Sequence, residues 1–369
     1  MTSDLSTCAA RIRDFIADPL RTENQFATLA LELFALQFKH NAAYHKICAF
    51  RRATPLIVSD WTQIPAVPTT AFKEFELTCL SPERRTQVFH SSGTTGQRPS
   101  QHFHHPESLA VYETSLWPWF AANVFPEFQS EISSFQLLSL TPPPAATPHS
   151  SLVHMFETVR QAMSAPNSVF LGGVAPDGAW QIDLDQTLAR LRQAGDENRP
   201  VLLLGTAFSF VHLLDFLADR SVQLELPSGS RVLETGGYKG RAHSLPKPEL
   251  HRLITHRLAV PRSHIVGEYG MSELGSQAYD TMLDATHHPQ PTTRAFHFPP
   301  WARGQIISPG TNREVGDGET GLIRVFDLAN VFSVQAIQTE DLAIRRGDDF
   351  ELIGRAEFAE PRGCSLMAV

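Results

Sequence analysis

The stretch SSGTTGQRPSQ, residues 91–101, concentrates residues that suit phosphate binding. Small residues leave backbone N–H groups accessible, and hydroxyls add further donors for the same anion. The loop differs from a Walker A loop, which ends in Gly-Lys-Ser/Thr, and from the GxGxxG loop of dinucleotide folds. Its composition alone is equally typical of a phosphate loop and of an ordinary flexible turn. The candidate phosphate contacts are Ser91, Ser92, Gly93, Thr94, Thr95 and Gly96.

A second segment, GEYGMSELG at residues 267–275, places an aromatic ring, a hydroxyl and a carboxylate close together. Tyr269 could stack on a purine, Ser272 could donate to a phosphate, and Glu273 could ligate Mg²⁺ through oxygen. A third segment, TEDLAIRRGDDFELIGR, supplies Asp341 and Arg355. A carboxylate accepts hydrogen bonds from both ribose hydroxyls, and an arginine can donate to the same sugar or to its phosphate. Together the three segments predict a nucleotide site.

The composition excludes several classes of protein. The chain of 369 residues has a formal charge of −8, which argues against a nucleic-acid-binding protein. Its N-terminus lacks a signal-peptide pattern, and Gly205, His212 and Asp215 interrupt the most apolar run, so an integral membrane protein is not expected. The four cysteines form no CxxC pair, which argues against a zinc site or a disulfide scaffold and favours a cytoplasmic protein.

The elements that must position these segments are predicted to form an α/β fold. The predicted buried strands are TQVFH, SSFQLLSL, SVFLGG, PVLLLGT, RVLETGG and SHIVGEYG. Amphipathic helices such as DLDQTLARLRQAG lie between several of them, and this alternation predicts a mainly parallel sheet flanked by helices. After about residue 295, short antiparallel strands are predicted from ARGQIIS, TGLIRVFDL, SVQAIQTEDLAI and DFELIGRAE.

The same reading predicts four regions along the chain. They are an N-terminal helical segment packed on the core (1–60), an α/β core (61–295), a β-rich subdomain (296–353) and a hinge-like C-terminal tail (354–369).

The three segments resemble the core motifs of the adenylate-forming, or acyl-CoA synthetase-like, superfamily. SSGTTG is similar to its phosphate loop, YGMSE to its Tyr-Gly-x-Thr-Glu motif, and TED followed by GR to its ribose-contacting segments. The resemblance runs from about residue 60 to the end of the chain. It implies the fold of the large N-terminal domain of these enzymes, with ATP and Mg²⁺ as cofactors.

The resemblance also implies which residues contact the nucleotide. ETGGYKGR, residues 234–241, is similar to a glycine-rich strand end beside the adenine, so Gly236 and Gly237 would line the base. Glu273 would act in catalysis and ligate the metal. The further implied nucleotide contacts are Glu268, Tyr269, Gly270, Met271, Ser272, Asp341 and Arg355.

Within the superfamily, the chain is most similar to the LuxE acyl-protein synthetases, through PTTAFKEFEL, HSSLVHMFE, ETGGYKGR and the terminal RGCSL. This family implies a two-step reaction, in which a fatty acid carboxylate attacks the α-phosphate of ATP and gives acyl-AMP and pyrophosphate. Cys364, beside Arg362, would then take the acyl group as a thioester and pass it to a LuxC-like reductase partner. His149 and His154 are the candidate contacts to the substrate carboxylate, and a structural histidine is the alternative for each of them.

One departure from the superfamily concerns its small C-terminal lid domain. GRAEFAEPRG resembles the hinge at which that domain begins, and six residues follow it, so the lid and its catalytic lysine are expected to be lacking. Lys73, Lys239 and Arg241 are the candidates to supply the missing positive charge, with Lys239 preferred as the catalytic residue. For each of them, a solvated surface cation is the alternative.

Two other functions remain open from the sequence. The chain could transfer the acyl group to coenzyme A or to a carrier protein, as phenylacetate–CoA ligases do, which would make Cys364 incidental. It could also be a non-catalytic subunit that binds a nucleotide or a fatty acid. The presence of Glu273, Asp341 and Arg355 argues against the second alternative.

Overall fold

The computed structural model describes residues 3–91, 98–127, 132–165, 167–236, 245–282 and 294–356. Its helices are α1 (Ser3–Ala17), α2 (Glu23–His40), α3 (Ala42–Phe50), α4 (Ala71–Glu74), α5 (Pro106–Val124), α6 (Ser151–Met163), α7 (Leu184–Asp196), α8 (Ala207–Asp219) and α9 (Lys247–Leu258). None of these helices combines the length and the apolar character that a membrane crossing requires, as far as the described residues go.

The strands range from two residues in β1 to eleven residues in β15. They are β1 (Val67–Pro68), β2 (Gln87–His90), β3 (Gln101–His104), β4 (Gln136–Ser139), β5 (Val169–Phe170), β6 (Gly172–Val174), β7 (Trp180–Ile182), β8 (Val201–Thr206), β9 (Arg231–Thr235), β10 (Ile265–Tyr269), β11 (Ala278–Met282), β12 (Arg294–His297), β13 (Ala302–Ile307), β14 (Thr320–Asp327), β15 (Ala336–Arg346) and β16 (Asp349–Arg355).

The described residues divide into two compact units, each assembled from separate stretches of chain. Unit 1 comprises residues 3–91, 98–118, 271–282 and 294–356. Unit 2 comprises residues 119–127, 132–165, 167–236 and 245–270. The boundary between the units therefore falls inside the GEYGMSELG segment, after Gly270.

Unit 2 contains the predicted parallel sheet, with strand order β10-β9-β8-β4-β5. Every residue of β8 is buried, as expected for a central strand covered on both faces. Leu203 of β8 belongs to a core that includes Phe210 and Leu214 of α8 and Ile254 of α9. The α/β class predicted from the sequence is confirmed.

Unit 1 contains the predicted antiparallel strands, in the order β13-β14-β15-β16-β12-β11. The short strand β1 pairs with β15 in parallel. In the hairpin β15–β16, Asp341 lies opposite Arg355. The fold thus brings these two predicted site residues side by side.

Two strand predictions need correction. TQVFH does not enter the parallel sheet: β2 pairs with β3 in a separate antiparallel sheet, and only Phe89 of β2 is buried. SVFLGG is split, because β5 pairs with β4 whereas β6 pairs with β7. At Gly172 a Cβ atom would lie 2.5 Å from the Thr141 carbonyl carbon, so the chain passes this backbone at a distance that only glycine allows.

Helix α2 connects the N-terminal region to the rest of unit 1. It begins with a capping box, in which Gln25 N donates to Thr22 Oγ1 and Thr22 N donates to Gln25 Oε1. On its buried face, Gln37 Nε2 donates to the carbonyl of Asn330 at 2.8 Å, and Gln335 N donates to Gln37 Oε1 at 3.0 Å. These buried bonds hold the 330–335 loop, which contributes to the site described next.

Candidate nucleotide site

Glu273 is the predicted site residue whose surroundings are defined most completely. It is fully buried in unit 1. Ser100 Oγ donates to its Oε1 at 2.8 Å, and Ser272 Oγ donates to its Oε2 at 3.0 Å. Asn330 Nδ2 donates to the Glu273 carbonyl at 2.9 Å. A carboxylate has about four acceptor positions, so the two hydroxyls orient the group and are compatible with a cation on it.

Ser100 also fixes the base of the candidate phosphate loop. Its backbone N donates to Ser91 Oγ at 2.9 Å, and its carbonyl accepts from Ser91 N at 3.3 Å. The predicted residues Ser92, Gly93, Thr94, Thr95 and Gly96 lie outside the described residues. One serine therefore ties the start of that loop to the Glu273 carboxylate. This role of Ser100 was not predicted, although Ser100 lies within the candidate stretch SSGTTGQRPSQ.

His102 supports the same segment from β3. Its Nδ1 lies 2.8 Å from the Ser272 carbonyl, which can only accept, so Nδ1 carries the donated hydrogen. Burial lowers the pKa of His102, although its bond to Ser272 opposes this shift, so the ring is neutral near pH 7. His102 therefore holds the backbone of Ser272 through this hydrogen bond.

Asp327, at the end of β14, holds the residues that follow Glu273. Its carboxylate accepts from Gly275 N at 2.8 Å, from Ser276 Oγ at 2.7 Å and from Ala329 N at 3.0 Å. Burial raises the pKa of Asp327, while these hydrogen bonds act in the opposite direction. The sequence analysis did not select Asp327 or Asn330. Both are polar residues inside the apolar run IRVFDLANVF, and this pattern is equally typical of an ordinary turn.

The predicted ribose contacts Asp341 and Arg355 are joined in unit 1. Arg355 Nε lies 3.2 Å from Asp341 Oδ1, and Arg355 Nη2 lies 2.6 Å from Glu340 Oε2. The Arg355 side chain is 5% exposed, so its charge is largely removed from water and needs these two carboxylates. The pair holds the Asp341 carboxylate in a fixed orientation. A carboxylate that accepts hydrogen bonds from the hydroxyls of a sugar needs such an orientation.

In unit 2, the predicted residues lie at the carboxyl ends of two neighbouring parallel strands. Gly236 follows β9 with a φ of +74°, which favours glycine. Glu268 and the buried Tyr269 end β10, and Thr235 Oγ1 donates to the Glu268 carboxyl across the strand pair. Ligands of open α/β sheets bind at this end of the strands. The predicted adenine contacts Gly236 and Tyr269 therefore lie at the end of the sheet where proteins of this fold class bind ligands.

A further buried charge cluster lies beneath these strand ends. Glu234 of β9 is 1% exposed, and it pairs with Lys247 Nζ at 2.8 Å and with His251 Nε2 at 3.2 Å. The pKa of Glu268 is raised to about 7, mainly by burial. The hydrogen bond from Thr235 and the charge of Lys247 act to lower this pKa, and the charge of Glu234 acts to raise it. Glu268 is therefore partly protonated at neutral pH.

This pKa predicts how the stability depends on pH. The folded protein holds the Glu268 proton up to about pH 7, whereas the ordinary value is 4.5, so the free energy of unfolding falls as the pH rises between these values. Glu268→Gln removes the titration and keeps an oxygen that accepts from Thr235. From pH 5 to pH 8, the variant should gain up to roughly 3 kcal/mol relative to the wild type. Urea unfolding at the two pH values measures this gain.

The exposed Glu225 provides the control for this experiment. Glu225→Gln measures the effect of removing one carboxylate that is exposed, whereas the Glu268 carboxyl is buried. The assigned pKa of Glu268 would be contradicted if the free energy of unfolding of Glu268→Gln differed from that of the wild type by the same amount at pH 5 and at pH 8.

The other predicted residues are distributed as follows. His149 is exposed in the turn before α6, and His154 is half-buried within α6, both in unit 2. Gly270 follows β10, Met271 begins the unit 1 part of the segment, and Lys73 is half-buried in α4 of unit 1. Gly237, Lys239, Arg241 and Cys364 lie outside the described residues, so their assignments remain predictions.

The three described cysteines are poor nucleophiles. Burial raises the pKa of Cys8 to about 12, that of Cys48 to about 11 and that of Cys79 to about 12. The thiolate is the reactive form of cysteine, so these thiols are almost entirely unreactive near neutral pH. All three of these described cysteines are free.

The Mg²⁺ prediction is compatible with the groups present. Within the described ranges, no cluster of three or more His, Cys, Asp or Glu residues could hold a metal ion. Mg²⁺ is usually bound by one or two carboxylates together with substrate phosphates. The oriented Glu273 carboxylate is the group predicted to provide one such ligand.

Comparison with known proteins yields one family and two groups of relatives. The sequence model of the LuxE acyl-protein synthetases matches residues 9–368. A long-chain-fatty-acid–luciferin-component ligase of Aliivibrio fischeri is 21% identical over 352 residues, which cover 92% of this chain and 86% of the relative. The protein of the same name from Vibrio harveyi is 21% identical over 343 residues, covering 90% and 84%.

Solved structures with the same fold include two of a 2-hydroxyisobutyryl-CoA ligase. An open conformation with 2-HIB-AMP and CoA has a TM-score of 0.61 at 12% identity, covering 88% of this chain and 74% of the ligase. A postadenylation state with 2-HIB-AMP has a TM-score of 0.63 at 11% identity, covering 91% and 69%. At these identities the likeness establishes the fold of an adenylate-forming ligase.

Proposed function

Because this chain belongs to the LuxE acyl-protein synthetase family, we propose that it activates a fatty acid with ATP and carries the acyl group on its own Cys364. The observation that carries the proposal is the Glu273 carboxylate, buried and oriented by two hydroxyls within the segment that resembles the superfamily's Tyr-Gly-x-Thr-Glu motif.

The substrate class follows from the relatives. Both curated relatives are named for long-chain fatty acids, and they align with at least 90% of this chain. A long acyl chain also suits the chemistry, since burying each methylene contributes about 0.8 kcal/mol. The substrate is therefore proposed to be a long-chain fatty acid, with His149 or His154 near its carboxylate.

In the first step, a carboxylate oxygen of the fatty acid attacks the α-phosphorus of ATP, and the bond to the pyrophosphate oxygen breaks. Two anions must approach each other, so the protein has to supply positive charge and hydrogen-bond donors. The N–H groups and hydroxyls of residues 91–96 would donate to the phosphates, and Lys239 would add a positive charge. Mg²⁺ on Glu273 would neutralise part of the phosphate charge.

The remaining predicted residues would hold the nucleoside. Asp341 would accept from the ribose hydroxyls, with Arg355 fixing its carboxylate, as their 3.2 Å ion pair supports. Tyr269 and the glycines at 236 and 237 would contact the adenine. Ser272 would donate to a phosphate, since its hydroxyl is held beside Glu273.

In the second step, the Cys364 thiolate attacks the carbonyl carbon of acyl-AMP, a thioester forms, and AMP leaves with the electrons of the broken acyl–phosphate bond. Burial raises the pKa values of Cys8, Cys48 and Cys79, which makes these three thiols poor candidates for the nucleophile. The thioester would then be consumed by a reductase partner that accepts the acyl group.

The proposal is tested by incubating the protein with ATP, Mg²⁺ and radiolabelled fatty acids of several chain lengths. We expect label that remains on the protein in a denaturing gel and is released by hydroxylamine, which cleaves thioesters. The same reaction is run with coenzyme A. If the label appears on coenzyme A and never on the protein, the chain is an acyl-CoA ligase and the proposed transfer to Cys364 is wrong.

A further inference from the structure

One surface of unit 1 exposes large apolar side chains close together in the sequence. Phe50 is 91% exposed, Leu56 is 98% exposed and Ile57 is 65% exposed. Single exposed apolar residues are ordinary on soluble proteins, but groups of them mark sites of contact with other molecules. These three residues lie within eight positions, between the last residue of α3 and the buried Val58.

The backbone that presents them is ordered by hydrogen bonds. After α3 ends, Ala53 N donates to the Cys48 carbonyl at 3.0 Å, and Ile57 N and Val58 N both donate to the Thr54 carbonyl at 2.9 Å. The buried Cys48 and Val58 anchor the two ends of the segment in the core. The apolar side chains therefore project from a fixed turn.

Basic residues lie in the same stretch of the chain as the exposed apolar side chains. Lys46, Arg51 and Arg52 are exposed, and the sequence has neither Asp nor Glu between Ala42 and Ser59. This local positive charge belongs to a chain whose formal charge is −8. Apolar side chains framed by Lys and Arg match the two layers of a lipid surface, an apolar interior beneath anionic headgroups.

We propose that this surface attaches the protein to anionic lipid membranes, with its apolar side chains in the interface and its basic side chains on the headgroups. We call it the basic apolar surface, and its residues are Lys46, Phe50, Arg51, Arg52, Leu56 and Ile57. Attachment follows from these side chains alone. The functional advantage of attachment rests on the proposed function, because long-chain fatty acids partition into bilayers and the protein would encounter its substrate there.

The test is cosedimentation of the full chain with vesicles of phosphatidylcholine alone or with phosphatidylglycerol added, without ATP or fatty acid. We expect binding to the anionic vesicles, since each basic residue near such a surface contributes about 1 kcal/mol. Lys46→Glu with Arg52→Glu should lower the partition coefficient at least about tenfold. Phe50→Ser with Leu56→Ser and Ile57→Ser should lower it similarly through loss of the buried apolar area.

The chain offers matched controls in two other exposed apolar residues. Leu20 and Phe75 are 82% and 52% exposed, and they lie outside the basic apolar surface. Leu20→Ser with Phe75→Ser should bind like the wild type, and the melting temperatures of all variants should agree within a few degrees.

Absence of wild-type binding to anionic vesicles would overturn the proposal, as would equal binding by the three sets of variants. If the basic and apolar variants instead lose binding to an acidic protein while no vesicles bind, the surface is a protein interface and the membrane assignment is wrong. Fatty acid activation in detergent solution is measured in parallel. Loss of this activity in the wild type would count against the proposed function and not against membrane attachment. The two hypotheses can therefore fail separately.

Discussion

Glu273→Gln is expected to lower fatty-acid-dependent ATP–pyrophosphate exchange by about 100-fold to 1000-fold, in line with the loss of one group that stabilises transition-state charge. The substitution removes the negative charge that would bind Mg²⁺ and changes the side-chain volume very little. Ser100 and Ser272 both donate to this carboxylate in the wild type. Because a hydroxyl can also accept, one serine can turn to accept from the new amide. The fold should therefore survive.

The measurement is the exchange rate at saturating ATP, together with the melting temperature. Ser100→Ala is the matched control, since it removes one hydrogen bond to Glu273 and keeps the carboxylate charge. It should lower the rate by only about tenfold, in proportion to one hydrogen bond to a charged group. Exchange by Glu273→Gln within threefold of the wild-type rate, in a folded protein, would show that this carboxylate does not serve adenylation.

Cys364→Ser is expected to abolish the hydroxylamine-sensitive acyl label and to leave ATP–pyrophosphate exchange within about twofold of the wild type. Adenylation precedes the thiol in the proposed sequence, so removing the thiol should block only the second step. The matched control is Cys79→Ser, because burial already raises the pKa of Cys79 to about 12 and suppresses its thiolate. This control should retain both the label and the exchange.

Two outcomes would contradict the second step. Label that persists in Cys364→Ser would place the acyl group on another residue. Label that disappears in Cys79→Ser, with the protein folded, would move the nucleophile to a thiol whose pKa is raised by burial to about 12.

The sequence predicted most of the elements that hold the candidate site. The buried run VLLLGT and the glycine-rich end of RVLETGG identify parallel strands, and β8 and β9 are found there. The apolar alternation after residue 295 identifies the antiparallel hairpin that pairs Asp341 with Arg355. Local pattern was sufficient here because hairpins and strand–helix alternation are encoded over short distances.

The residues that support Glu273 were not predictable in the same way. Ser100 and Glu273 are 173 positions apart, and His102 and Ser272 are 170 positions apart. Asn330 reaches Glu273 across 57 positions and is itself held by Gln37 of α2. A single sequence carries no periodic signal for such contacts, since they arise only when distant segments pack. The strand TQVFH was misassigned for a different reason: it pairs with β3, on the other side of the candidate loop, and not with a parallel neighbour.

The most direct test of the proposed activation is ATP–pyrophosphate exchange over a panel of carboxylic acids, from short aliphatic and aryl acids to long-chain fatty acids. We predict Mg²⁺-dependent exchange that long-chain fatty acids stimulate well above the acid-free background and that Glu273→Gln lacks. Exchange that no acid of the panel stimulates, in a folded protein at saturating ATP and Mg²⁺, would contradict carboxylate activation and would favour a non-catalytic binding subunit.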